Sequence, residues 1–193
     1  MNDSATRIAS RIKWAASLAC SLVAATAHGD TTSGPSQHEV TAAYLFNFSK
    51  FVEWPEGTFA GAVDPITICV FGESPLGALL RDAVKGKQVN GREIAVRETP
   101  SVSKTSGCHI VFLASTEQGR LDGALAWLAD RPVLTVGDAR SVADRGAVIG
   151  LTLEERRVRF EVNVAAAGRA GLKLSSQLLK VAARLIGQGD RGR

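Results

Sequence analysis

The feature that most narrows the choice of fold is a pair of short runs, "PITICVFG" (65–72) and "CHIVFLAS" (108–115), apolar at nearly every position and rich in β-branched residues. A strand with one wet face alternates polar and apolar residues. A strand dry on both faces has to be covered twice, which is the situation of a parallel sheet between helix layers. Helical patterns follow each run. "SPLGALLRDAV" (74–84) has Ser74 placed as an N-cap and Pro75 at the first helical position. "LDGALAWLAD" (121–130) sets Leu121, Leu125 and Leu128 on one face. "PVLTVGD" (132–138) reads as a further buried strand, while "REIAVRE" (92–98) alternates and belongs nearer an edge.

The second half turns the sheet mixed. "AVIGLTLEERRVRFEVN" (147–163) breaks at its charged centre into an antiparallel hairpin. Asn163 can cap a short helix of small residues, "LKL" (172–174) is a brief strand, and Ser175 can cap a last helix with Leu178, Val181, Ala182 and Leu185 inward and Gln177, Lys180 and Arg184 outward. The expected fold class is α/β: an open mixed, largely parallel sheet with helices on both faces and a C-terminal antiparallel hairpin.

Ahead of the first strand stands "AAYLFNFSKFVEWP" (42–55). A helix over 38–54 puts Val40, Tyr44, Phe48 and Phe51 on one face and Asn47, Lys50 and Trp54 on another, and Pro55 ends it. Its length and polar groups exclude a membrane span. Two readings stay open: a core helix packed between sheet and C-terminal helix, or a surface offering Leu45, Phe46 or Trp54 to another molecule.

The N-terminus has a different character. Arg7, Arg11 and Lys13 precede an uncharged, mostly apolar run over 14–27 that closes on Ala25-Thr26-Ala27. This is the pattern of a secretory signal cut before His28; a short anchor is the alternative, though the run falls short of a bilayer of about 30 Å. Lipidation at Cys20 fits less well, because Leu18 is two residues before it where three is wanted. The expected organisation is a signal peptide over 1–27, a flexible segment over 28–37, one domain over 38–187 and a disordered tail over 188–193. Losing Arg7, Arg11, Lys13 and Asp3 lowers the net charge from +4 to +2, and no basic run remains to track a nucleic-acid backbone. Export leaves Cys69 and Cys108, an even count that suggests a bridge in an oxidising compartment, with two buried thiols as the alternative.

Chemistry is hard to find. "FGESPLG" joins a strand to a helix but is neither G-x-G-x-x-G nor a P-loop, and Glu73 faces where a phosphate would sit. Cys108 and His109 are adjacent in a strand and point to opposite faces, so they do not make a metal site. No G-x-S-x-G elbow is present, and Glu154 and Glu155 sit in a charged turn. No catalytic residue, metal or cofactor is expected.

The order and spacing of "AAYLFNFSKFVEWP", "ITICVFGESPLG", "CHIVFLAS", "PVLTVGD" and "RVRFEVNVAAAGRAGLKLSSQLLKVA" resemble the YfiR family of periplasmic regulators over roughly 40–186. The resemblance implies a periplasmic repressor that holds a membrane-bound diguanylate cyclase inactive through its periplasmic portion. It thereby controls cyclic di-GMP, biofilm and exopolysaccharide output. It also implies a possible homodimer and, in some members, a small aromatic ligand. By position, Cys69 and Cys108 match a family disulfide pair, and Ile149 and Glu161 match a partner-binding patch beside an apolar pocket, with Phe160 and Trp54 as further candidate contacts. A second family cysteine pair is absent, with Ala143 and Gly150 standing nearby, so two-disulfide redox control is not expected. The rival functions are a small-molecule sensor without a cyclase partner and an unrecognised periplasmic enzyme.

Overall fold

The computed structural model describes residues 35–155 and 157–187; the expected signal peptide, residues 28–34 of the expected flexible segment and the tail over 188–193 lie outside the described residues. In chain order the elements are α1 (Gln37–Phe48), β1 (Val52–Glu53), β2 (Ile66–Phe71), α2 (Leu76–Val84), β3 (Gln88–Val89), β4 (Arg92–Thr99), β5 (Ile110–Leu113), α3 (Leu121–Leu128) and β6 (Leu134–Gly137). There follow β7 (Ile149–Glu154), β8 (Arg157–Asn163), α4 (Val164–Arg169), β9 (Lys173–Leu174), α5 (Ser176–Val181) and β10 (Arg184–Ile186).

The runs dry on both faces do form the centre of the sheet. Eight strands lie in the order β10-β8-β7-β6-β5-β2-β4-β3. Pairing is parallel from β4 through β2, β5 and β6 to β7, and again between β8 and β10. It is antiparallel in the β7–β8 and β3–β4 hairpins. One face of the central strands, with Ile68, Val70, Ile110 and Phe112, packs against Leu45 and Phe48 of α1 and Leu76 and Leu80 of α2. The other, with Phe71, Val111 and Leu113, packs against Leu121, Leu125 and Leu128 of α3. Helices cover both faces, as the fold class expected.

Two helices are shorter than their sequence patterns. The expected 38–54 helix stops at Phe48. Ser49 Oγ donates to the Phe46 carbonyl at 2.6 Å, and tight turns bring Lys50 N–H onto Asn47 O and Phe51 N–H onto Phe48 O. Val52–Glu53 then leaves as a strand antiparallel to Lys173–Leu174, and Phe51 O accepts from Ser175 N–H at 2.9 Å. Strand pairing therefore ends this helix before Pro55 can. The last helix ends at Val181. Ala183 N–H donates to Phe160 O at 2.8 Å, and Arg184–Ile186 joins β8 as an edge strand. Val181, expected inward, is 70% exposed as a result. Gly187 closes the strand at φ 70° against Ala165, where any Cβ would collide. The helix expected from Ser74 begins at Leu76, whose N–H is held by Ser74 Oγ at 3.2 Å.

Candidate functional site

The first helix is fixed at its start by a reciprocal cap. Glu39 N–H donates to Ser36 Oγ (3.3 Å) and Ser36 N–H donates to Glu39 Oε2 (2.6 Å), which also holds the Glu39 carboxyl below its usual range. So anchored, α1 lies across the hairpin and brings three rings together: Tyr44–Phe48 at 5.6 Å, Tyr44–Phe160 at 5.7 Å and Phe48–Phe160 at 5.2 Å between centroids. The last two pairs are edge-to-face, the geometry favoured by ring quadrupoles. Tyr44 Oη donates to the Val158 carbonyl at 3.1 Å, tying helix to hairpin.

These rings floor an open hollow of about 400 Å³ between α1, β8 and α5, lined by Tyr44, Phe48, Phe51, Phe160, Leu178 and Val181. Along the same helix a wider hollow of about 650 Å³ lies between Val40, Tyr44, Leu153 and Val158. Leu153 and Val181 flank this surface and are 56% and 70% exposed.

The neighbour of Phe160 on β8, Glu161, points to the opposite face. Arg184 of β10 clasps it with two hydrogen bonds (Nε–Oε1 2.8 Å, Nη2–Oε2 2.7 Å) and clasps Asp144 with two more (Nη1–Oδ1 3.0 Å, Nη2–Oδ2 2.6 Å). The hydrogen bonds from Arg184 hold the Asp144 carboxyl below its usual range, and the two carboxylates raise the Arg184 guanidinium in return. Glu161 is thus half of an ion pair rather than a free charge. Asn163, ending β8, accepts from Ala166 N–H (2.9 Å) and donates to Ala143 O (2.8 Å), so the cap expected of it also locks the hairpin to the preceding loop.

The candidate residues do not converge on one site. Phe160 lines the aromatic hollow, and Glu161 lies behind it across the strand. Ile149, expected on a contact patch, is fully buried opposite Val162; a residue on the inner face of a paired strand has no surface to offer, so the correction is that it serves the core. Leu45, offered as a contact on the first helix, is likewise fully buried. Trp54 is half-buried elsewhere: its Nε1–H donates to His109 O at 3.2 Å, and it meets Phe59 and His109 edge-on. His109 is a satisfied core histidine whose Nδ1 accepts from Thr67 N–H at 3.0 Å. Cys69 and Cys108 are bonded, with Cα atoms 5.8 Å apart, in the cluster beneath α3 and away from the hollow. Residues that sequence reasoning did not assign to a site, Tyr44, Phe48, Phe51, Leu178 and Val181, complete the hollow. Arg184, expected on the outer side of the last helix, stands instead on an edge strand. No group of three or more metal-ligating side chains occurs among the described residues, and no described helix is long and apolar enough to cross a membrane.

A sequence model described as YfiR/HmsC-like matches residues 38–183. Among solved structures, a conserved domain protein from Vibrio cholerae O1 biovar El Tor aligns with a TM-score of 0.53 at 14% identity, over 79% of this chain and 61% of that one. At that identity the fold alone is shared, and this chain spans less than two thirds of the other's length. The ABC domain from Streptococcus pneumonia, solved in complex with L-Trp, aligns with a TM-score of 0.46 at 12% identity, over 62% of this chain and 56% of that one.

Proposed function

This chain belongs to the YfiR/HmsC-like family, whose members are periplasmic regulators rather than catalysts, and we propose that it binds and represses a membrane-anchored diguanylate cyclase through the cyclase's periplasmic portion. Repression would set cyclic di-GMP and, through it, biofilm and exopolysaccharide output. The observation that carries this reading is the uncovered apolar surface along α1, the β7–β8 hairpin and α5, where Leu153 and Val181 stand in solvent beside a ring-lined hollow. Apolar area of that kind raises the free energy while it faces water, and covering it with a partner lowers it by roughly 25 cal/mol per Å². Glu161 contributes through its pairing with Arg184, which fixes the edge of the surface.

Co-purification tests it. The chain, expressed in its native host, should retain a membrane-bound GGDEF-domain protein, and cyclic di-GMP should rise when the chain is deleted. Unchanged cyclic di-GMP on deletion would sink the reading.

A second reading is favoured by the hollow itself. Its volume of about 400 Å³ and its aromatic walls suit a single small aromatic ligand. Bound at 100 times its Kd, such a ligand adds about 2.7 kcal/mol to stability, which a thermal-shift screen of aromatic amino acids and related rings would detect.

A further inference from the structure

We propose that the free edge of β7 is a docking site for an extended peptide segment of a partner protein, which pairs with the main chain of Leu153 and presents an acidic side chain to Arg140. This site adjoins the wider hollow, with which it shares Leu153 and Val158, and does not depend on what the ring-lined hollow binds.

The edge is defined by register. β7 runs to Glu154, but β6 accompanies it only through Ile149 and Gly150. Asn163 N–H donates to Val148 O at 2.8 Å, which makes 148 and 163 a hydrogen-bonded pair. Such pairs alternate along an antiparallel ladder, so Gly150 with Glu161 and Thr152 with Arg159 exchange bonds across the hairpin. Leu151 and Leu153 therefore turn their main-chain groups away from β8. The bond from Ala183 N–H to Phe160 O agrees, because Phe160, opposite Leu151, faces outward on the other side. Among the described residues no strand lies beside Leu153 on that outer edge.

Space is available there for a strand. After β6 the chain turns off at Asp138, whose carboxylate accepts from Ser115 N–H at 2.7 Å, and carries Arg140 and Ser141 (φ 54°) to the far wall. Between wall and edge lies a cavity of about 400 Å³. Its lining includes Leu151 and Leu153 from one face of the hairpin and Thr152 and Glu161 from the other, as a space wrapped around a strand's edge requires. Thr152 Oγ1 is buried there with no hydrogen-bond partner among the described residues. A row of main-chain donors and acceptors at ladder spacing is met by another extended main chain, about 4.8 Å away. Nothing blunts the edge: Leu153 is exposed and apolar, and 149–154 contains neither Pro nor Lys. The charged groups lining the cavity are Asp138, whose carboxylate is engaged by Ser115 N–H, Arg140, Glu161 and Arg184. Arg184 is taken up by Asp144 and Glu161, whereas Arg140 is in no ion pair among the described residues, so the cation left to recognise a side chain is Arg140.

The test is a displayed library of random peptides of about twelve residues, panned against the full chain. Enriched peptides should alternate β-branched or aromatic residues with polar ones and carry an Asp or Glu. Leu153→Pro removes an N–H that faces a partner strand and none that β8 uses, so affinity should fall about ten-fold; Leu153→Thr, which keeps the N–H, should bind within about two-fold. Arg140→Glu should shift preference to peptides with Lys in place of the acid. Should Leu153→Pro unfold, amide exchange on the wild type decides: saturating peptide slows the Leu153 N–H, and the same peptide with alternate amides N-methylated does not. No enriched binder, or binders indifferent to Leu153→Pro and to N-methylation, would overturn the proposal. So would protection of Leu153 that rises with protein concentration in the absence of peptide, which would assign the edge to a second copy of the chain.

Discussion

The two faces of the sheet are built from similar strands and finished differently. Beneath α3, Leu121, Leu125 and Leu128 are buried together with Phe71, Val111 and Leu113, the disulfide lies among them, and among the described residues Val102 is the one partly buried hydrophobic packed against that cluster. Beneath α1 and α2 the core is larger, yet Tyr44, Phe46, Phe51, Trp54, Leu179 and Leu185 are among the residues that pack on it while still touching solvent. One face spends its apolar side chains on its own interior; the other carries more than its interior can cover. A regulator that acts by contact needs the second kind of face, and the first kind gives it a rigid back.

The comparison breaks most readily at Phe48. This ring is buried and meets both Tyr44 and Phe160, so Phe48→Ala removes the floor of the open face. A loss of about 3–5 kcal/mol is expected in guanidinium unfolding. A loss under about 1 kcal/mol would mean that the three rings are a loose lining rather than part of the core. The matching change on the closed face is Cys108→Ser together with Cys69→Ser. The bridge closes residues 39 apart, and its removal should cost about 2–4 kcal/mol. Partner binding by the surviving folded fraction should stay the same, since the bridge and the hollow lie on opposite faces; loss of binding in a folded, reduced chain would show the faces to be coupled.

How much of this was legible follows from the range of the interactions involved. The sheet centre was, because dryness on both faces is written locally in residues 66–71 and 110–113. So were the Asn163 and Ser175 caps, which act over three residues. The β3–β4 hairpin was not read, although its signal stood in Asn90-Gly91, both at positive φ, a pair suited to a two-residue turn. The two helix ends were not legible. Phe51 and Ala183 abandon helical patterns to pair with Ser175 and Phe160, and bonds between residues far apart in the chain override local periodicity. The hollow was lost with them, because Val181 reaches solvent only once the last helix stops. Ile149 and Glu161 were placed by position alone. Which side of a paired strand is buried depends on its register against β8, and their packing depends on Val162 and Arg184.

A smaller effect probes the loop that leads into β2. His109 is stacked on Phe59 (4.3 Å, 11°), and Arg92 lies over the other side of that ring at 3.9 Å while donating to Gly61 O and Asp64 O. Burial lowers the His109 pKa; a hydrogen bond with the Thr58 backbone opposes this, the Arg92 charge lowers it further and the Asp64 charge raises it. With the folded value below the unfolded one, the unfolded chain binds the extra proton as pH falls past about 6.5. The His109 contribution to stability is therefore complete above that pH and is lost as pH drops toward the folded value. Urea midpoints of wild type and His109→Gln, measured from pH 8 to pH 5, should converge on the acid side. A constant gap would show that His109 takes up its proton over the same pH range folded and unfolded.

The least change in stability is expected at Val181, and it sharpens the comparison furthest. The side chain is 70% exposed and borders the hollow, so Val181→Asp should alter unfolding by no more than about 0.5 kcal/mol. On a face whose apolar surplus exists to be covered, the same carboxylate would be driven into a dry contact without a partner, which costs far more than its effect on folding. If the chain represses a cyclase as proposed, association with that cyclase should fall and cyclic di-GMP should rise, with the fold intact. Trp127, 45% exposed on the outer side of α3 and covered by Arg131 at 4.5 Å, is the control from the other face. If Trp127→Asp releases the cyclase and Val181→Asp does not, the closed face is the one that regulates.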